Sequence, residues 1–293
     1  MEYKNLTIIG CGDTGFRVAR LALDRGVAVT AVSRGEKSFP ASVKRGVTLL
    51  TTNLDDPETL RLPDVSGCAV LYSAPPPGGG IIDTRVKNFL AALEPGAVPC
   101  KIVYLSATSV YGNCGDELVD ETRPPAPLNH TGRRRLDAEQ QFLAWGAAQG
   151  VPVVILRISG IYGPGRVPLQ RIYDREPLLN EAEAGYTNRI HADDLAQVCL
   201  AALERGEAGD IFNVSDGETS RMTDYFNAIT DLLQLPRLPQ VSLAEARQAM
   251  SPLMFGYMTD SRRIDNRKML EKLGIKLRYP TLREGLKGSL PTE

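Results

Sequence analysis

The sequence predicts an α/β fold, a doubly wound parallel sheet with a small mixed C-terminal lobe, and three observations carry that expectation. An apolar strand near the start of the chain runs into Gly10, Gly12 and Gly15 and then into a helix. Short runs rich in Val, Ile and Leu alternate with helical stretches from Leu6 to Val214. The 293 residues are 43% hydrophobic, enough for one large core or two modest ones.

The first element sets the frame. Leu6, Ile8 and Ile9 read as a buried strand, and Phe16, Ala19, Leu21, Ala22 and Leu23 as the apolar stripe of a helix. Between them stands Gly10-Cys11-Gly12-Asp13-Thr14-Gly15. A glycine at the first place permits a tight turn, one at the second lets an anion touch backbone, and one at the third lets helix and strand pack closely. The helix start adds unpaired N–H groups and partial positive charge. These six residues are therefore expected to cradle the diphosphate of a dinucleotide.

Val27 to Val32 makes the second strand, and its end selects the cofactor. A site for NAD carries a carboxylate there for the ribose 2′-OH; this chain has Ser33-Arg34-Gly35 with Lys37 close behind. A guanidinium pairs bidentately with a 2′-phosphate, so Ser33 and Arg34 predict NADP, with NAD as the weaker alternative. Val47 to Leu50 is a third strand, after which Asn53 and Leu54 would frame the adenine. Asp55 and Asp56 read equally well there or as helix caps ahead of Pro57. Cys68 to Tyr72 is the fourth strand; Ser73, Ala74 and Pro75 then follow the crevice, and the Pro/Gly run to Gly80 reads as a loop or lid. A helix over 83–93 leads to the fifth strand, Lys101 to Leu105.

From that point the chain resembles the extended short-chain dehydrogenase/reductases, the group with nucleotide-sugar epimerases and dehydratases. Leu105 to Gly112, Val119 to Thr122 with Pro124, Gly132-Arg133 with Leu136, Ala138 and Glu139, Leu156-Arg157, and Ile161 to Gly165 follow in that group's order. So do Arg189 to Ala196, Phe212-Asn213-Val214 with Asp216-Gly217, and the closing Leu282, Glu284, Gly285 and Leu286. The resemblance implies a Rossmann domain over residues 1–165 and 188–215, a substrate lobe over 166–187 and 216–293, and Ser106 and Ile161 beside the cofactor. It also implies a homodimer through the long helix after Thr131, with Ala138, Phe142, Leu143 and Trp145 on its apolar side.

The chain departs from the group where chemistry is done. Its glycines follow GxGxxG instead of GxxGxxG, and the Ser/Thr, Tyr and Lys places fall on Ala107, Thr131 and Arg135. A threonine hydroxyl is too weak an acid to replace the tyrosine, while Arg135 keeps the lysine's charge without titrating. Thr108 and His191 are the residues expected to take over proton transfer, with His130, Tyr111 and Tyr162 behind them. Asp193 reads as the cap of the helix after His191, and Arg221 as the lobe residue facing a substrate. The resemblance implies an oxidoreductase, epimerase or dehydratase acting on a polar carbonyl or nucleotide-sugar-like compound; the alternative is a catalytically silent NADP(H)-binding sensor.

Other classes are disfavoured. The 34 basic and 35 acidic residues nearly cancel, which argues against nucleic acid or a membrane surface as partner. Five cysteines without CxxC spacing read as cytoplasmic thiols, and two histidines make a metal site improbable.

Overall fold

The computed structural model describes residues 3–35, 46–94 and 96–290; Lys37 lies outside them. In chain order come β1 (Asn5–Ile9), α1 (Asp13–Leu23), β2 (Ala28–Ser33), β3 (Val47–Thr51) and β4 (Ala69–Tyr72). Then follow α2 (Thr84–Ala91), β5 (Lys101–Ala107), a 3-10 turn at Thr108–Tyr111, β6 (Leu118–Val119) and α3 (His130–Gln149). Next are β7 (Val153–Ile158), β8 (Gly160–Tyr162), α4 (Leu169–Tyr173), β9 (Leu178–Leu179), β10 (Tyr186–His191), α5 (Ala192–Arg205) and β11 (Ile211–Val214). The chain ends in β12 (Thr219–Arg221), α6 (Met222–Leu232), β13 (Gln240–Val241), α7 (Leu243–Ala249), α8 (Pro252–Thr259), β14 (Arg263–Ile264), α9 (Arg267–Lys272) and α10 (Leu282–Lys287).

Seven strands form one parallel sheet in the order β3-β2-β1-β4-β5-β7-β11. Alternation along each strand feeds two cores. Ile8, Ala31, Leu71, Val103 and Leu156 face α1 and α5, whereas Ile9, Val32, Val70, Ile102 and Ile155 face α2 and α3. Helices on both faces explain why these strands read as continuous apolar runs instead of alternating ones. Tyr72, Phe89, Tyr104 and Phe142 interlock on the second face, with ring centroids 5.0–6.2 Å apart. This is a Rossmann-type sheet.

A separate apolar cluster holds the lobe: Tyr162, Ile172, Leu178, Leu179, Tyr225, Phe226 and Leu286, with Met250, Met254 and Phe255 against it. Small pairings tie it together, β12-β10-β8, β13-β9 and β14-β6. Two of the four residues expected to meet a second subunit are taken up by the chain's own core. Ala138 and Phe142 are fully buried against the sheet, and Leu143 and Trp145 pack beside them.

Candidate cofactor-binding and active site

The sheet reverses strand order between β1 and β4, and ligands of open α/β sheets bind outside the carboxyl ends at such a switch point. A cavity of about 180 Å³ lies there, lined by Gly10, Cys11, Gly12, Val32, Ser33, Arg34, Thr52, Leu54, Ala74, Pro75 and Arg85. Hollows of about 270 Å³ and 550 Å³ lie away from the cradle, the first at the amino ends of β1 and β2 and the second beside β11.

Backbone hydrogen bonds shape the cradle. The N–H groups of Gly10 and Cys11 both donate to Val32 O, at 2.9 and 3.0 Å, and fold the turn over β2. Gly10 has φ +83°, and a methyl group there would stand 2.4 Å from the Ala74 backbone, so β1 and the loop after β4 touch through it. Ser73 closes that junction: its N–H donates to Ile9 O at 2.8 Å and its hydroxyl to Gly10 O at 3.0 Å. A methyl on Gly15 would meet Ile8 Cγ2 and Cys11 Sγ at 3.1 Å, the close approach of helix to strand. Gly12 is the N-cap of α1, and a methyl on it would meet nothing within 4 Å.

Arg34 is exposed and makes no ion pair among the described residues, whereas Arg85, which sequence reasoning missed, is fully engaged. Arg85 grips both Asp55 oxygens at 2.6 Å and donates to Pro75 O at 2.9 Å. Asp55 and Asp56 therefore cap no helix; Asp56 accepts from Glu58 N and Thr59 Oγ1 in a turn, and Asn53 Oδ1 accepts from Asp55 N. The Pro/Gly loop is no free lid. Buried Arg134 donates to Gly79 O and Gly80 O at 2.9 and 2.7 Å and to Thr131 Oγ1 at 3.2 Å. Only the helical phase of Arg134, facing inward from α3, would have marked it in the sequence.

The places where the reacting groups are expected come together at one corner. Ala107 ends β5, and α3 packs its first turn on the 3-10 turn that follows: a methyl on Gly132 would stand 2.7 Å from Ser109 O. Thr108 is partly buried and Thr131 exposed on these adjoining turns. Arg135 reaches back under β5, donating to Leu105 O at 2.6 Å and Tyr104 Oη at 3.2 Å. Ser106 points elsewhere, into Glu139 Oε1 at 2.5 Å, where Glu139 also holds Arg157 at 2.7 Å in the buried interior. Ile161 packs against the core shared by α1 and α5 and does not line the cavity.

Several expected proton carriers have other work. His130 is exposed in the first turn of α3, and Asn129, not His130, caps that helix, accepting Gly132 N at 2.8 Å. His191 is 1% exposed. Its Nδ1 accepts Asp193 N at 3.1 Å and so caps α5, which leaves the proton on Nε2, 3.3 Å from Ser289 Oγ. Burial lowers its pKa against the attraction of Asp193 and Asp194. Asp193, expected as the cap, pairs with Arg17; Asp194 accepts the N–H groups of Arg278 and Tyr279. Tyr111 is buried, donates to Asn213 Oδ1 at 2.8 Å and is pushed up to about 12 by burial; Tyr162 is raised by the same cause. Arg221 donates to Ala184 O and stacks on Tyr186, a tie within the lobe.

Just after β11, Asp216 is buried with Oδ1 accepting Glu218 N at 3.0 Å and no partner for Oδ2 among the described residues. Burial pushes its pKa up to about 8, with Glu218 adding and Arg189 opposing. Among the described residues no group of three or more His, Cys, Asp or Glu is placed to hold a metal ion. No helix there is long and apolar enough to cross a membrane.

The model of the NAD dependent epimerase/dehydratase family matches residues 84–215. Mouse (Mus musculus) dTDP-D-glucose 4,6-dehydratase is 30% identical over 132 residues, 42% of this chain and 37% of that protein, so the chain spans little more than a third of the relative's length. A functionally unknown conserved protein from Silicibacter pomeroyi shares the fold with TM-score 0.82 at 29% identity over 97% of both chains. UDP-glucuronic acid 4-epimerase from Bacillus cereus, solved in complex with NAD, does so with TM-score 0.75 at 18% identity, again over 97% of both. Residues 84–215 are thus similar to the NAD dependent epimerase/dehydratase family, and the chain as a whole shares the fold of these solved structures.

Proposed function

We propose that the chain is an NAD(P)-dependent oxidoreductase of the epimerase/dehydratase kind, acting on a polar carbonyl or nucleotide-linked sugar and preferring NADP. The observation that carries this reading is the cavity at the β1–β4 switch point with Gly12 at its base. Of the three cradle glycines Gly12 alone would meet nothing among the described residues if it carried a methyl, which leaves open space against its backbone for a ligand. The lining fits a dinucleotide: first-turn N–H groups of α1 donate to the diphosphate, apolar Leu54 and Pro75 flank the adenine, and the uncommitted Arg34 pairs with a 2′-phosphate. The mouse relative's name and the NAD in the Bacillus cereus epimerase support the cofactor and substrate class. We assign residues 1–165 and 188–215 to the cofactor and 166–187 and 216–293 to the substrate.

A nicotinamide dinucleotide bound here supplies hydride exchange with a carbonyl or alcohol carbon. The chain's own part is to hold it and to place hydroxyl groups at the corner of Thr108 and Thr131. Thr131 cannot act as a neutral-pH base, and Arg135, fixed on Leu105 O, contributes a permanent positive charge beside that corner. Proton transfer then runs through substrate-bound water or the substrate's own hydroxyl, oriented by Thr108.

NADPH and NADH titrations by fluorescence test the cofactor, with NADPH binding tighter and Arg34→Ala narrowing the gap; equal affinities in the unmutated protein would remove Arg34 from the argument. Single-turnover oxidation of NADPH across nucleotide sugars, keto acids and aldehydes tests the enzyme. Full occupancy without turnover on any compound would transfer the case to a sensor.

A further inference from the structure

The cradle carries a charge that works against its proposed ligand. Asp13 is the first residue of α1, so its carboxylate stands at the helix end whose N–H groups would take a diphosphate. Like charges at such a range repel unless something neutralises them. Two arginines do. Arg17 Nε lies 3.2 Å from Asp13 Oδ1, and Arg166 Nε lies 2.6 Å from Asp13 Oδ2. Against the burial that would raise it, these guanidinium groups hold Asp13 below the ordinary carboxylate range.

The two arginines are not equivalent. Arg17 is spent, since it also pairs with Asp193 and reaches Pro164 O at 3.5 Å. Arg166 touches Asp13 through Nε alone, and its terminal nitrogens have no partner among the described residues. It belongs to the loop after β8, turned by Gly163 at φ +142° and Gly165 at φ +77° and closed by Arg166 N donating to Gly163 O at 3.0 Å. The same loop leads into α4 of the lobe. Asp13, Asp193, Arg17 and Arg166 sum to no net charge, so two added negative charges need a donor that can turn toward them, and Arg166 is the one with donors to spare.

Resting on the cofactor reading above, we propose that Arg166 binds the diphosphate of the dinucleotide, keeping Nε on Asp13 and giving its terminal N–H groups to phosphate oxygens. The 163–166 loop thereby straps the lobe to the cofactor, and substrate and cofactor sites are joined through one side chain. Asp13 acts as the positioning residue that holds the guanidinium at the cradle's mouth.

Fluorescence titrations with NADPH and NADH and calorimetric titrations with ADP and adenosine decide this. Arg166→Gln should weaken NADPH, NADH and ADP alike, by about tenfold or more, and leave adenosine unchanged. Arg166→Lys should restore part of the loss, and the salt dependence of ADP binding should flatten in Arg166→Gln. Unchanged ADP affinity in Arg166→Gln overturns the assignment while leaving the cofactor reading intact; an equal loss for adenosine overturns it too, as general damage to the site. Wild-type protein that binds neither NADPH nor ADP overturns both.

Discussion

A methyl group placed on Gly10 would stand 2.4 Å from the Ala74 backbone, whereas one placed on Gly12 would meet nothing. The same substitution should therefore give opposite results two residues apart. Gly10→Ala must also hold φ +83°, so it should lower Tm by several degrees, corresponding to at least ~1–2 kcal/mol. Asp216 gives a pH-dependent counterpart. Its pKa is about 8 in the folded chain against an ordinary 3.8. Below the lower value both states are protonated and nothing is lost. As pH rises toward the upper value the unfolded chain releases a proton that the folded chain retains, so stability falls and the penalty levels off above it. Asp216→Asn, which keeps an acceptor for Glu218 N, should gain little in Tm near pH ~3.5 and much more near pH ~8.5, an advantage on the order of several kcal/mol. An advantage independent of pH would show that Asp216 titrates normally. His191 runs the other way: its lowered pKa makes its contribution present above the ordinary imidazole value and lost as pH falls below it.

Helix α3 shows what a residue pattern can and cannot disclose. Its Glu139 faces inward at an even phase with Ala138 and Phe142 and meets Arg157 of β7 with both groups almost fully buried. Breaking one partner leaves the other charge stranded, so Glu139→Ala should cost about 3–5 kcal/mol in urea unfolding, while breaking a surface pair such as Arg237 with Asp231 should leave the unfolding midpoint nearly where it was. A loss of similar size at both places would mean the interior pair is better solvated than its burial indicates. The cradle was legible because glycines act through backbone geometry that sequence spacing encodes directly; Gly10, Cys11, Gly12, Ser33, Arg34, Leu54, Ala74 and Pro75 do line the cavity. Arg85 and Arg134 were not, since nothing in their neighbours says that carbonyls of a loop some distance away need donors. Caps failed for a related reason. His191 accepts at the helix start that Asp193 was expected to cap, and a shift of two residues of this kind depends on backbone angles that composition leaves open.

The sheet as a whole followed from the chain's alternation of apolar runs and helices, because burial on both faces leaves few other ways to pair parallel strands. The lobe did not, since its strands are two to six residues long and its packing depends on Tyr162, Tyr225 and Leu286, which are far apart in sequence. What unites the two parts is the claim that the β1–β4 crevice holds a nicotinamide dinucleotide on the backbone of Gly12. NADPH affinity and Tm measured side by side on wild type and Gly12→Ala test it most directly. The account predicts an unchanged Tm, because the added methyl meets no atom of the described residues within 4 Å, together with at least ~tenfold weaker NADPH binding, because the methyl fills the space of the diphosphate. A Gly12→Ala protein that binds NADPH as wild type does, or a wild type that does not bind it at all, would contradict the account.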